Sequence, residues 1–119
     1  PMTGSPASSS ITLLLTRNGL GHADPALQQQ LAVSYFRLLL EDARLPAAIC
    51  CYGEGVRLVC SGSPVLDALA ALQARGVPII ACKTCLDFYG LADAIEVGTI
   101  GSMGDIIEAQ WRADKVITL

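Results

Sequence analysis

Cys82 and Cys85 follow directly on the apolar run Val77-Pro78-Ile79-Ile80-Ala81. The β-branched run reads as a strand, so the thiols fall at its carboxyl end. In an open α/β sheet that is the edge where ligands bind. A thiolate there serves as a nucleophile, a redox centre or half of a metal site. Four readings stay open. The pair is a persulfide-forming or sulfur-carrying thiol, a dithiol–disulfide couple, half of a zinc or iron–sulfur site, or simply two small buried hydrophobes, since free cysteine is among the most buried residue types. Lys83 sets a positive charge beside both thiols, and a helix opening near Leu86 would favour the thiolate further. Neither feature separates persulfide from redox chemistry, because both chemistries want a thiolate. Thr84 between the cysteines and Tyr89 after them count as supporting residues. Tyr89 is placed to hydrogen-bond a sulfur species or to cover the site. Asp87 reads as a turn cap.

The remaining reactive side chains form no second centre. A structural metal wants about four ligands. Outside the pair the strong candidates are Cys50, Cys51, Cys60 and His22, and they show no knuckle of matching spacing, so no metal is expected. Gly19-Leu20-Gly21 invites a nucleotide reading, but the full fingerprint needs glycine where Asp24 stands, and a carboxylate there repels a pyrophosphate. The plainer reading is a tight strand-to-helix turn, and no cofactor is expected. His22, the sole histidine, lies in this loop. It is either a base at the same sheet edge as Cys82 or, more plainly, a solvated loop residue. Cys50 and Cys51 are adjacent on a strand and point to opposite faces, so they read as packing residues, as does Cys60.

The elements that must position the pair alternate. Ile11 to Thr16 reads as a first strand. Asp24 caps a helix with Pro25 at its first position, running to about Ala43, with Leu27, Leu31, Tyr35, Leu38 and Leu39 as its buried stripe. Ala47 to Tyr52 is a second strand and Gly53-Glu54-Gly55 a turn. Val56 to Cys60 is a helical turn or a minor strand. Ser63-Pro64 opens a second helix, with Leu66, Leu69 and Leu72 on one face and Gly76 at its end. Val77 to Ala81 is the third strand, Leu86 to Leu91 a short helix and Ala94 to Val97 a fourth strand. Ser102 caps a helix over Met103–Arg112, with Asp105 completing a capping box and Ile106, Ile107 and Trp111 facing inward. Lys115 to Leu119 is the last strand. Such alternation predicts a parallel sheet, ordered around the first strand, with helices on both faces. Residues 1–10 are small and polar with two prolines. They read as a tail or processed end outside the fold, leaving 11–119 as one domain.

Composition narrows the partners. Of the 119 residues 52% are hydrophobic and 16% charged, against about 25% charged in ordinary soluble domains. No run approaches the roughly 18 apolar residues of a membrane span. The apolar excess is therefore expected inside a covered sheet and in a homo-oligomeric interface, most simply of a dimer or trimer. Net charge is −3 without a basic cluster, which argues against nucleic acid as a partner. Five cysteines in a chain with its own core, and no basic start leading into a continuous apolar run, fit reduced thiols in the cytoplasm.

The string Cys82-Lys83-Thr84-Cys85-Leu86-Asp87-Phe88-Tyr89-Gly90 resembles the DsrE-like domain of the YedF group, described as sulfurtransferase-like selenium-metabolism proteins. That group carries Cys-Gly-Thr-Cys-Leu-Asp-Phe-Tyr-Gly, so Lys83 stands in place of its glycine. Leu20-Gly21 with Asp24, and the ending Ala113-Asp114-Lys115-Val116-Ile117-Thr118-Leu119, resemble the group's first loop and terminal strand. The resemblance implies a three-layer α/β/α fold with a five-stranded, mainly parallel sheet. It also implies relay of sulfur, or selenium, as a cysteine persulfide, received from a donor or carrier protein by an oligomer. By its position before Gly90, Cys82 matches the family's sulfur-accepting residue, and Cys85 becomes the additional, resolving thiol. The alternative is a non-catalytic oligomeric binding protein that senses redox state through a dithiol/disulfide pair.

Overall fold

The computed structural model describes residues 10–42 and 44–119. Residues 1–9 of the expected tail, and Ala43 at the expected end of the first helix, lie outside them. Ser10 is tied to the fold: its N–H donates to Asp114 Oδ2 at 3.0 Å and its carbonyl accepts from Asp114 and Lys115.

Five strands form one parallel sheet: β1 (Ile11–Leu15), β2 (Ala48–Cys51), β3 (Ile79–Cys82), β4 (Thr99–Gly101) and β5 (Lys115–Thr118). Their order is β4-β3-β2-β1-β5. β2 is central, where the sequence pattern puts β1. Crossovers from β1 to β4 all step one way, and the chain then returns beyond β1 to lay down β5. Right-handed crossovers place α1 (Pro25–Glu41), α2 (Leu66–Ala74) and α3 (Lys83–Phe88) on one face and α4 (Met103–Arg112), which returns in the opposite direction, on the other. The result is three layers. The core is a single cluster that includes Leu13, Leu15, Phe36, Ile49, Leu58, Leu69, Leu72 and Leu86. Each large apolar side chain removed from water in it contributes about 1.5–3 kcal/mol.

The caps of α1 and α4 act where the sequence puts them, while α2 opens at Leu66, past the expected Ser63-Pro64, with no side-chain cap. Asp24 accepts the Ala26 N–H at 3.1 Å and Pro25 opens α1. Ser102 and Asp105 form the reciprocal capping box of α4. The faces differ from expectation. In α1 the buried line is Ala32 and Phe36, while Leu27, Leu31 and Leu38 are exposed. Close approach of helix to sheet selects the small Ala32, and a stripe chosen by side-chain size misses it. In α4 only Ile106 is buried; Ile107 is 49% and Trp111 85% exposed. Adjacent residues stand about 100° apart on a helix, so Ile106 and Ile107 cannot both face the sheet. Met103, Ile107 and Trp111 instead form an outward line.

Two segments fold differently from the strand pattern. Gly53–Val59 is a 3-10 helix, one of the two alternatives open for Val56 to Cys60. Residues 94–97 are not a strand of the sheet. Ile95 bridges Cys60, and the Glu96 N–H donates to Val59 O at 2.8 Å. Gly98, at φ +83°, then turns the chain so that Thr99–Gly101 pairs with Ile80–Cys82. A side chain at Gly98 would also meet Ile79 O at 2.7 Å. The apolar 94–97 run satisfies the 3-10 helix first, and the more polar stretch after it becomes the edge strand.

Candidate functional site

Cys82 is the last residue of β3 and the residue that precedes α3. The helix opens at Lys83, three positions before the expected Leu86, so the pair straddles the strand-to-helix junction. At the carboxyl ends of β3 and β4 the chain leaves toward opposite faces, into α3 and α4. Cys82 pairs in register with Gly101 across that divergence, the crevice where open α/β sheets bind ligands.

The two thiols differ in environment. Cys82 is 2% exposed and belongs to the core cluster. Cys85 is half-buried, and its Sγ accepts a hydrogen bond from the Gly53 N–H at 3.1 Å. Gly53 follows β2 at φ +58°, a left-handed conformation that suits glycine. That turn aims its amide at the neighbouring strand end. Burial pushes the Cys85 thiol above its ordinary pKa, the Gly53 amide pulls it down, and the neighbouring Cys82 thiol raises it again.

The rim is aromatic and cationic. The Arg57 guanidinium lies 4.5 Å from the centroid of the Tyr89 ring, a cation–π contact. Arg57 Nε also meets Glu54 Oε1 at 3.3 Å. Tyr89 packs edge-on against Phe88, which is 82% exposed. Lys83 Nζ is bound to Asp87 Oδ2 at 2.6 Å on the exposed face of α3. Its charge is thus directed to that carboxylate, and Asp87 is an ion-pair partner in place of a turn cap. Thr84 is exposed. His22 is exposed in the loop after β1.

Cys50, Cys51 and Cys60 are buried, as the packing reading expects. Desolvation pushes Cys50 up to about 11 and raises Cys51 and Cys60 as well. The Cys60 Sγ donates to Val56 O at 3.2 Å. Among the described residues, no three His, Cys, Asp or Glu side chains gather as metal ligands. A groove of about 540 Å³ runs on the other face, beside α4, lined by Thr12, Ala48, Ile80, Thr99, Ala109 and Arg112, and it does not include the thiols. Sequence reasoning missed Gly53 and Arg57 as site residues. The available signal was the Gly53-Glu54-Gly55 turn at the end of a strand beside the one that carries the cysteines.

A parallel three-layer α/β domain with a Cys-x-x-Cys pair at the carboxyl edge of its sheet defines the class. The chain belongs to the DsrE/DsrF-like family, which it matches over residues 17–119. Solved structures share the fold. The ychN protein from E. coli has a TM-score of 0.65 at 21% identity, over 93% of this chain and 99% of that one. The protein MTH1491 from Methanobacterium thermoautotrophicum has a TM-score of 0.67 at 20% identity, over 94% and 100%. The protein BT1422 from Bacteroides thetaiotaomicron has a TM-score of 0.65 at 18% identity, over 98% and 99%. No curated protein sequence matches the chain.

Proposed function

We propose that the protein carries sulfane sulfur as a persulfide on the Cys82/Cys85 pair, taking it from a donor and passing it to an acceptor. The observation that carries this reading is the Gly53 N–H held 3.1 Å from the half-buried Cys85 Sγ, at the ligand-binding edge of a DsrE/DsrF-like sheet. A hydrogen-bond donor aimed at sulfur favours the anionic forms that persulfide exchange passes through. The nine-residue cysteine string further likens the chain to the YedF group, described as sulfurtransferase-like selenium-metabolism proteins, which makes selenium an alternative cargo.

The partner is a sulfur-carrier or sulfur-donor protein that docks over the sheet edge, where exposed Phe88 offers an apolar contact. Free thiols of this kind belong in a reducing compartment, which makes the cytoplasm the proposed setting. Exposed Met103, Ile107 and Trp111 on α4, with Leu27, Leu31 and Leu38 on α1, support assembly into a homo-oligomer. Among the described residues no helix is long and apolar enough to cross a membrane.

The placement of both thiols at the β3–α3 junction, Cys82 before the helix and Cys85 in its first turn, also favours a second reading, a dithiol–disulfide sensor. Intact-mass spectrometry after exposure to glutathione persulfide separates the two. A carrier gains the mass of one sulfur atom; a sensor loses two hydrogens and gains nothing.

A further inference from the structure

We infer that Cys85, and not Cys82, is the thiol that receives the incoming sulfur, with the Gly53 amide as its positioning group. The inference rests on the persulfide reading above and reverses the order of the two thiols that the sequence resemblance implies.

Three observations carry it. The first is access. A thiolate attacks a sulfur–sulfur bond along its axis, so its own sulfur needs an open side large enough for a second molecule's sulfur. Cys82 is 2% exposed, within the core cluster, and joined to β4 in register at Gly101. Cys85 is half-buried and lies on α3 beside the exposed Phe88. The second is the donor. The Gly53 N–H meets the Cys85 Sγ at 3.1 Å. Hydrogen bonds to an ionised acceptor are roughly twice as strong as those to a neutral one, so this amide stabilises the thiolate more than the thiol. The third is the ion pair of Lys83 with Asp87. It occupies the ammonium, and the fixed dipole of the Gly53 amide is what remains for Cys85.

The steps balance as thiol exchange. The Cys85 thiolate attacks the outer sulfur of a donor persulfide. The Cys85–sulfur bond forms, the donor's sulfur–sulfur bond breaks, and the donor leaves as a thiolate that takes up a proton. No net oxidation occurs. Delivery repeats the exchange, with an acceptor thiolate attacking the outer sulfur and Cys85 leaving as thiolate. Discharge uses Cys82. Its thiolate attacks the Cys85 Sγ, the bond to the outer sulfur breaks, and that sulfur departs with two protons as hydrogen sulfide. The sulfane sulfur is reduced by two electrons and the two cysteines are oxidised to one disulfide, which an external dithiol reduces again. Cys82 in this role needs no access to a second protein, which fits its burial.

The test compares wild type, Cys82→Ser and Cys85→Ser, each treated with glutathione persulfide and followed by intact mass, with circular dichroism to confirm folding. Cys82→Ser is expected to gain one sulfur and to hold it longer than wild type. Cys85→Ser is expected to load at least ~10-fold more slowly. On the unsubstituted protein, limiting iodoacetamide with peptide mapping should alkylate Cys85 at least ~10-fold faster than Cys82. This arm needs no variant to fold. Amide-to-ester exchange at Gly53 removes the donor and also weakens the Tyr52 carbonyl that accepts the Gly55 N–H; it should move the pH profile of Cys85 alkylation to higher pH, whereas a merely structural glycine would leave the profile in place. Loading lost in Cys82→Ser and kept in Cys85→Ser overturns the order of the thiols and leaves the persulfide reading standing. Wild-type protein that takes up no sulfur overturns the persulfide reading, and the inference with it.

Discussion

Replacing Gly55 with alanine tests how the strand ends hold the site together. Gly55 is buried in the 3-10 helix that also carries Gly53. A Cβ at this position would lie 1.8 Å from Leu15 O, 2.4 Å from Leu15 C and 2.9 Å from Thr16 N, where ordinary contact begins at 3.4 Å. All three atoms are backbone of β1 or the residue after it, and none can rotate away. Leu15 O is already committed to the Tyr52 N–H at 3.1 Å, so it cannot retreat without breaking the β1–β2 ladder. The 3-10 helix must then move outward by roughly 1.5 Å in a close-packed interior. Overpacking of this kind costs about 1–3 kcal/mol. Loss of the Gly55–Tyr52 and Gly53–Cys85 hydrogen bonds adds about 1 kcal/mol each. A total near ~4 kcal/mol corresponds to a fall in melting temperature of roughly 10–20 °C for a domain of this size. The control is Gly62→Ala. Gly62 has φ +89° but open space around it, so it carries only the left-handed penalty of about 1–2 kcal/mol. Thermal unfolding followed by far-UV circular dichroism compares the two. If Gly55→Ala melts within ~3 °C of Gly62→Ala, the close approach of the 3-10 helix to β1 is not a constraint, and the account of how Gly53 is positioned fails.

Other outcomes follow from the same structure. Cys50 is held at about 11 in the fold against 9.0 as a free thiol, so its stabilising contribution is complete below pH 9 and lost as pH rises through 11. The shift corresponds to about 2–3 kcal/mol. Urea unfolding of wild type should therefore weaken across that window, and Cys50→Ala should show a shallower alkaline loss; equal slopes would contradict it. Ser102→Ala removes the Oγ that accepts the Asp105 N–H in the α4 capping box, while the backbone N–H of residue 102 stays on the Asp105 carboxylate, and should cost about 1 kcal/mol in the same assay, whereas no change would show the cap to be idle. Trp111→Glu places a charge on the outward line of α4 and should shift light-scattering mass toward the monomer. A wild type already monomeric at micromolar concentration would refute the oligomer.

What the sequence made legible is what local chemistry decides. Asp24 with Pro25, and Ser102 with Asp105, announce helix starts through hydrogen bonds made within a few residues, and both are found. The run before Cys82 is strand because its β-branched residues suit a covered sheet, with Val77 and Ile79 buried on one face and Ile80 half-buried on the other, and the thiols therefore fall at the sheet's carboxyl edge. What was not legible depends on contacts distant in the chain. Residues 94–97 have a strand's composition but bond to Val59 and Cys60. The inward face of α1 is fixed by Ala32, whose smallness matters only once the sheet is beneath it. Leucines count equally in a periodicity wherever the partner surface lies, so Leu27 and Leu38 looked buried. The Gly53–Cys85 contact joins residues 32 positions apart, and no spacing rule encodes it.

The Gly53 N–H aimed at the Cys85 Sγ has a consequence for watching the site at work. It is a backbone amide, so it carries a proton that magnetic resonance detects directly, and it is the hydrogen-bond donor to the sulfur whose state is in question. Ionisation, sulfur loading or disulfide formation at Cys85 each changes the charge and distance that this proton experiences. In a nitrogen–proton correlation spectrum the Gly53 resonance should therefore move separately for each form of the sulfur, and the protein reports its own cargo without an attached label.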